Sequence, residues 1–258
     1  MFSIRKIFLL LLIAILICCY YYRNDILFRF QYYQLQQIAC KSDESSTLPC
    51  FTKKLWAHRV NSLQRFHLLK DYFQGFEADV YYDSSINDFW VWHPPGSRPI
   101  NLYMDSLLKD VNAENKKIWL DIRGVDSSNA QQALDVFERN IQQYHLMQNI
   151  LIELYDVSAA NRFAIHGFNV SLNIQANLLK KKDDDELNAL KQKIVPQVHF
   201  VSQSVEYIDS LKSKFPGKKI ITWSLAFNNY FHIEKLKKLT EDTLISVVLI
   251  NVKSRYHY

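Results

Sequence analysis

The chain has 258 residues, 48% of them hydrophobic and 22% charged, with a net charge of +5. This is a globular composition, long enough for one sizeable core. The positive charge is mild and forms no domain-sized basic stripe, and there is no zinc-finger spacing, which argues against a nucleic-acid partner.

The N-terminus differs from the rest. In "MFSIRKIFLLLLIAILICCYYYR", Arg5 and Lys6 precede an uncharged run from Ile7 to Tyr22. Its most apolar part, Ile7 to Cys19, is short for a bilayer, which needs about 20 residues. Tyr20, Tyr21 and Tyr22 lengthen it as interfacial residues. No Ala-x-Ala cleavage signal is present, and Ile17 before Cys18 does not suit a lipoprotein site. Residues 1–22 are therefore expected to form an uncleaved signal anchor, a transmembrane helix, with a cleaved signal peptide as the competing expectation. Arg5 and Lys6 place the N-terminus inside, and the body in the periplasm or on an extracellular or lumenal side; Arg23 and Arg29 oppose that orientation.

Residues 23–53 read as a connector, helical in "FRFQYYQLQQIA" and ending in a polar loop flanked by Cys40 and Cys50. In an exported protein these two cysteines would close the loop as a disulfide; in a reducing compartment they would be free thiols.

From residue 54 to 258 the chain alternates. Short apolar runs suited to buried strands lie at 54–58, 75–82, 117–122, 150–154, 168–174, 198–202, 219–225 and 244–250. Helical spacing appears between them, for example at 62–73, 129–147, 183–194, 204–215 and 232–242. Such alternation means βαβ units and a parallel sheet. Eight runs predict a (β/α)8 TIM barrel, a fold of about 250 residues. An open doubly wound sheet competes, but its glycine-rich phosphate loop is missing and the chain has only 5 glycines. The second run continues into "DSSINDFWVWHPP", which reads as a turn and a hairpin-like arm ending at His93 before two prolines that forbid helix.

Active sites of such barrels sit at the C-terminal strand ends, so the polar residues there are the candidates. The first run ends in His58 and Arg59. The second carries Glu77 and Asp79, the arm ends at His93, and the third carries Asp121 and Arg123. Residues i and i+2 of a strand share a face, which points Glu77 with Asp79 and Asp121 with Arg123. Two carboxylates buried together repel, and a divalent cation resolves the conflict. Three carboxylates suit Mg²⁺ or Ca²⁺ better than zinc. Taken singly, each residue also has an ordinary reading: His58 as a hydrogen-bonded rim histidine, Arg59 as an ion-pair partner of Asp79, His93 stacked on Trp90 or Trp92.

"AHRVNS", "FEADVYY", "VWHPP" and "IWLDIRG" together resemble the opening of the glycerophosphodiester phosphodiesterases, within the phospholipase-C-like phosphodiesterase superfamily. The form with His-x-x-Asn-Ser, Glu-Ala-Asp-Val and His-Pro-Pro is most similar to the menorin-like branch. "IITWSL" resembles the family's Trp-Thr strand and places Trp223 at the pocket rim. The resemblance spans roughly 54 to 250. It implies a metal bound by Glu77, Asp79 and Asp121, with His58 and His93 as general base and acid. Arg59 and Arg123 would bind phosphate oxygens. Glu153, Gln175 and Gln203, by their strand-end positions, join Trp223 as candidate pocket residues. Departures are specific. Val60 replaces a glycine, Pro94 replaces Asp, Asp121 replaces Glu, Arg123 replaces Lys, and the final strand has no following Asp-x-Pro. The last barrel helix is therefore expected to be missing, its place covered by the N-terminal connector.

The expected function is a membrane-anchored, metal-dependent phosphodiester hydrolase acting on glycerophosphodiesters or phospholipid head groups. Two alternatives stand beside it: a catalytically degenerate barrel serving as an extracellular binding module, and a lyase-type phospholipase that stops at a cyclic phosphate.

Overall fold

The computed structural model describes residues 53–93, 100–180, 185–226 and 231–252, together with 8, 11–20, 22, 23, 29 and 33. Among the described residues, nine strands form one sheet: β1 (Leu55–Ala57), β2 (Gly75–Asp83), β3 (Asp88–Val91), β4 (Lys117–Arg123), β5 (Ile150–Leu154), β6 (Asn169–Asn173), β7 (Phe200–Ser204), β8 (Lys219–Ala226) and β9 (Ile245–Asn251). Eight of them run parallel in the order β1, β2, β4, β5, β6, β7, β8, β9, and β9 pairs back onto β1 through Trp56 and Leu249. The sheet is therefore the closed barrel predicted from the eight apolar runs. The ninth strand, β3, pairs antiparallel with the C-terminal half of β2, from Val80 opposite Val91 to Asp83 opposite Asp88. This is the expected arm.

Among the described residues, eight α-helices pack around the barrel: α1 (Leu63–Leu69), α2 (Met104–Ala113), α3 (Ala130–Tyr144), α4 (Val157–Ile165), α5 (Ala176–Lys180), α6 (Asp185–Lys193), α7 (Ile208–Lys214) and α8 (Phe231–Glu241). Helical spacing had not singled out α2, α4 or α5. In α2, Met104, Leu107, Leu108 and Val111 are buried, the i, i+3, i+4, i+7 stripe of a helix packed on a sheet. The Asp156 side chain caps α4 by accepting from the Ala159 N–H at 2.9 Å.

Strand parity separates two apolar regions. Outward-facing Ala78, Val80, Leu120, Ile122, Ile152 and Leu154 join the helices in the main core. Inward-facing Trp56, Trp119, Leu151, Ile221, Val247 and Leu249 fill the barrel interior as a separate cluster. Gly75 belongs to that floor: a Cβ there would lie 2.2 Å from the Trp56 indole. Only a residue without a side chain lets the indole lie across the start of β2.

The transmembrane helix expected over 1–22 gains no support. Residues 11–20 are helical, but among the described residues no helix is long and apolar enough to cross a membrane. Cys18 and Cys19 are free. Cys40, Cys50, most of the connector, Pro94 and the chain beyond Val252 lie outside the described residues, and with them the expected disulfide and the connector's cover over the barrel end.

Candidate active site

The register of the sheet builds the site. Asp79 pairs with Asp121, and Asp121 with Glu153, so three acidic side chains occupy one row across β2, β4 and β5. Glu77 stands two residues earlier on β2, on the same inward face. Glu77, Asp79 and Glu153 are each 2% exposed and Asp121 is 7% exposed, so all four are buried inside the barrel mouth.

The oxygens of Glu77, Asp79 and Asp121 lie within 4.8 Å of one another. Burial, followed by the charges of Asp79, Asp121 and Glu153, pushes the Glu77 carboxyl well above its ordinary range. Burial also raises Asp121, against the opposing pull of Arg123. The other oxygen contacts leave a specific gap. Asp121 Oδ2 accepts from Arg123 Nη2 at 3.0 Å and Tyr155 Oη at 3.1 Å, whereas buried Asp121 Oδ1 has no hydrogen-bond partner. An unpartnered buried carboxylate oxygen beside two further carboxylates fits a hard divalent cation, which takes oxygen ligands.

Two histidines flank this cluster. His58 follows β1, its N–H donating to Ile250 O at 3.1 Å and so continuing the strand pairing. Its Nδ1 lies 2.7 Å from Asn251 Oδ1, and its Nε2 3.6 Å from Glu77 Oε2. Since an amide oxygen only accepts, Nδ1 carries the hydrogen and Nε2 keeps its lone pair. Burial, with help from the Arg59 and Arg65 charges, depresses the His58 pKa to about 4, so the Glu77 contact is not an ion pair. His93 arrives from the arm. The Trp92 N–H donates to Asp79 O at 3.0 Å, extending the hairpin by one bond, and His93 Nε2 then lies 3.8 Å from Asp79 Oδ1.

Val60, where the resembled family has glycine, sits without strain. The left-handed residue of this turn is Arg59, with φ 58°, and Val60 is 1% exposed within the main core. The turn is fixed by two bonds to one residue: the Arg59 N–H donates to Glu77 Oε2 at 2.6 Å and the Val60 N–H to Glu77 O at 2.7 Å. Glu77 therefore aims the His58–Arg59 turn as well as facing the other carboxylates.

A pocket of about 190 Å³ is lined by His58, Arg59, Glu77, Asp79, His93, Asp121, Arg123, Glu153 and Trp223, nine of the eleven residues singled out from sequence. Arg123 also stacks on Tyr155, its guanidinium carbon 5.0 Å from the ring centroid. Glu153 Oε1 accepts from Ser202 Oγ at 2.5 Å and Asn173 Nδ2 at 2.8 Å, and burial with the Asp121 charge lifts its pKa to about 8. Trp223 meets Trp119 edge to face at 6.2 Å.

Gln175 is one exception. It is exposed and lines a different cavity. It lies two residues past the end of β6, where the chain has already turned into α5, so strand-end position did not set its direction. Gln203 is also turned away, its Nε2 donating to Ile174 O at 2.7 Å.

Four positions that brace the candidate site were not singled out from sequence, Asn61 entering only as part of the His-x-x-Asn-Ser motif. Tyr155 and Asn251 line the pocket and hold Asp121 and His58. Asn61 clamps Asp79 from both sides: its Nδ2 donates to Asp79 Oδ2 at 2.7 Å and its Oδ1 accepts the Asp79 N–H at 2.9 Å. Asn61→Ala would leave a buried carboxylate oxygen and a buried N–H unmatched, an expected loss of about 1–3 kcal/mol, measurable by urea denaturation.

The fourth is Arg65, 3% exposed on α1 beneath the site. Its Nη2 donates to Val252 O at 2.9 Å and His58 O at 3.4 Å, joining the ends of β1 and β9. Those ends carry the His58–Asn251 pair. Arg65→Met keeps the bulk but leaves both carbonyls unmatched. It should cost about 1–3 kcal/mol in the same assay and lower turnover without a matching change in metal affinity.

No family sequence model and no curated protein sequence matches the chain. Solved structures do. A glycerophosphodiester phosphodiesterase from Parabacteroides distasonis superposes with a TM-score of 0.58 at 13% identity, over 78% of this chain and 93% of that one. A phosphodiesterase from Oleispira antarctica, solved with its product sn-glycerol-3-phosphate, gives 0.55 at 12% identity, again over 78% and 93%. A chitinase from Aspergillus fumigatus gives 0.50 at 8% identity over 80% and 95%, so the barrel alone does not select phosphate chemistry. This chain shares the barrel fold of the glycerophosphodiester phosphodiesterases.

Proposed function

We propose that this protein is a metal-dependent phosphodiester hydrolase of the glycerophosphodiester phosphodiesterase type. The observation that carries the reading is the convergence of Glu77, Asp79 and Asp121 within 4.8 Å of one another, with Asp121 Oδ1 unpartnered, in a pocket also lined by both histidines and both arginines. The chitinase comparison makes those side chains, and not the barrel, the basis of the assignment.

Glu77, Asp79 and Asp121 would hold Mg²⁺ or Ca²⁺. A cation bound there offsets their repulsion and polarises a phosphoryl oxygen. The chain's own residues do the rest. Arg59 and Arg123 line the pocket with fixed positive charge for the remaining phosphate oxygens. His58, neutral and with Nε2 bare, takes a proton from the attacking water as the new P–O bond forms. His93, beside Asp79, returns a proton to the leaving alkoxide as the old P–O bond breaks. Asn251 holds the His58 tautomer throughout.

Phosphorus NMR of glycerophosphodiesters incubated with the full chain, with Mg²⁺, with Ca²⁺ and with chelator, tests this. A phosphomonoester product appearing only with a divalent cation is expected. A cyclic phosphate as the final product would assign the lyase chemistry instead. No turnover with either cation would leave a binding module. Membership of the menorin-like branch is likewise a proposal, supported by His58-x-x-Asn61-Ser62. So is attachment to a membrane, supported by the exposed Leu11, Leu12, Ile13, Ile15, Leu16 and Ile17 on the helical stretch 11–20, with the body outside the cytoplasm on the strength of Arg5 and Lys6 before that stretch.

A further inference from the structure

We infer that the preferred substrate carries an aliphatic arm, and that a second cavity beside the site receives it. The inference rests on the phosphodiesterase reading and specifies its substrate class. The second cavity measures about 230 Å³ and is walled by Val157, Leu172, Leu178, Ala189 and Leu190, drawn from α4, β6, α5 and α6.

The two cavities share a partition. Tyr155 lines both. On the active-site side its hydroxyl accepts from Arg123 Nη2 at 3.0 Å and donates to Asp121 Oδ2 at 3.1 Å. Asn173 lines the second cavity while its Nδ2 donates to Glu153 Oε1, which belongs to the first. One side chain and one hydrogen-bonded pair thus separate a charged compartment from an aliphatic one.

That contrast matches an amphiphile. The first cavity presents carboxylates, two arginines and two histidines, the chemistry of a phosphate bound with a cation. The second presents more aliphatic than polar surface, with Gln175 and Asn173 among its polar lining, and offers an alkyl or acyl chain a better match than a hydroxylated or zwitterionic head group. Glu186 and Lys193 add one charge of each sign to its lining and so do not select an ionic ligand. A chain leaving the phosphate past Tyr155 would fill it.

The test compares two phosphodiesters with the same choline group: dodecylphosphocholine below its micelle concentration, and glycerophosphocholine. The full chain is expected to show a KM about tenfold lower for the chain-bearing diester. Ala189→Trp, at an exposed wall position, should abolish that preference while leaving kcat/KM for glycerophosphocholine within about twofold. Leu190→Trp repeats the test on the same wall should one variant fold poorly. A preference unchanged by both substitutions, or absent from the unaltered chain, overturns the inference.

Calorimetric binding of dodecylphosphocholine separates this failure from that of the underlying reading. Binding weakened by Ala189→Trp, with no diester turned over, keeps the arm site and removes the hydrolase. Equal binding by both proteins, with glycerophosphocholine turned over, keeps the hydrolase and removes the arm site.

Discussion

His58→Gln is expected to lower kcat on a phosphodiester by about 10²- to 10⁴-fold, the usual worth of a positioned general base. Glutamine is similar in size and keeps a polar group near Asn251, but it has no basic lone pair at the Nε2 position. The three carboxylates are untouched, so the cation affinity measured by calorimetry should stay close to that of the unaltered chain. Asn251→Ala should give a smaller loss, because imidazole remains but its tautomer and ring orientation are no longer fixed by the 2.7 Å contact. A His58→Gln protein retaining more than about a tenth of the activity would remove His58 from the chemistry. His93 or solvent would then be the base.

The same residues show why part of the site was legible in sequence. Glu77-x-Asp79 and Asp121-x-Arg123 obey a period of two, and each apolar strand that carries them is short and uninterrupted. Inward direction follows from parity once the strands are placed. The row of Asp79, Asp121 and Glu153 is then a matter of register, which closing the barrel fixes. The arm was legible because its turn and the two prolines after His93 bound an extended run. The position of β5, 150–154, is legible because Ile150, Leu151, Ile152 and Leu154 make the near-continuous apolar run of a buried parallel strand, interrupted only by Glu153.

Asn61, Arg65, Tyr155 and Asn251 were not legible, for one physical reason. Each works through a partner far away in sequence: 18 residues for Asn61 and Asp79, 34 for Tyr155 and Asp121, 187 for Arg65 and Val252, 193 for His58 and Asn251. No local period marks such a residue, and only closure of β9 onto β1 brings the last two pairs together. Gln175 failed in the opposite way. Its closeness to a strand end was correct, but a side chain beyond the last ladder residue no longer inherits the strand's alternation. Val60 looked like a defect because glycine commonly supplies a left-handed residue, and here that conformation falls on Arg59, held by Glu77.

In chelator, the protein is expected to become less stable as the pH rises from about 6.5 to 8, above the range in which the depressed His58 pKa acts in the opposite direction. Burial and mutual repulsion raise the carboxyls of Glu77, Asp121 and Glu153 above their unfolded values. Between the ordinary carboxylate range and the folded pKa values, the native state therefore binds more protons than the unfolded chain, and stability falls with pH. For Glu153, with a folded pKa of about 8, the loss by pH 8 is roughly 4 kcal/mol. Glu153→Gln keeps an acceptor for Ser202 and Asn173 and should flatten the decline. A divalent cation needs its ligands deprotonated, so the gain in melting temperature from Mg²⁺ or Ca²⁺ should be larger at pH 8 than at pH 5.5. It should vanish in Asp79→Asn with Asp121→Asn. A metal-free melting temperature that is flat or rises over this range would mean the carboxylates find a proton-independent partner in the fold. A cation shift equal at both pH values would mean the ion binds elsewhere. The acidic cluster links both effects: it lowers stability at high pH and makes the same pocket a cation site there, so one set of melting curves examines the repulsion and its remedy together.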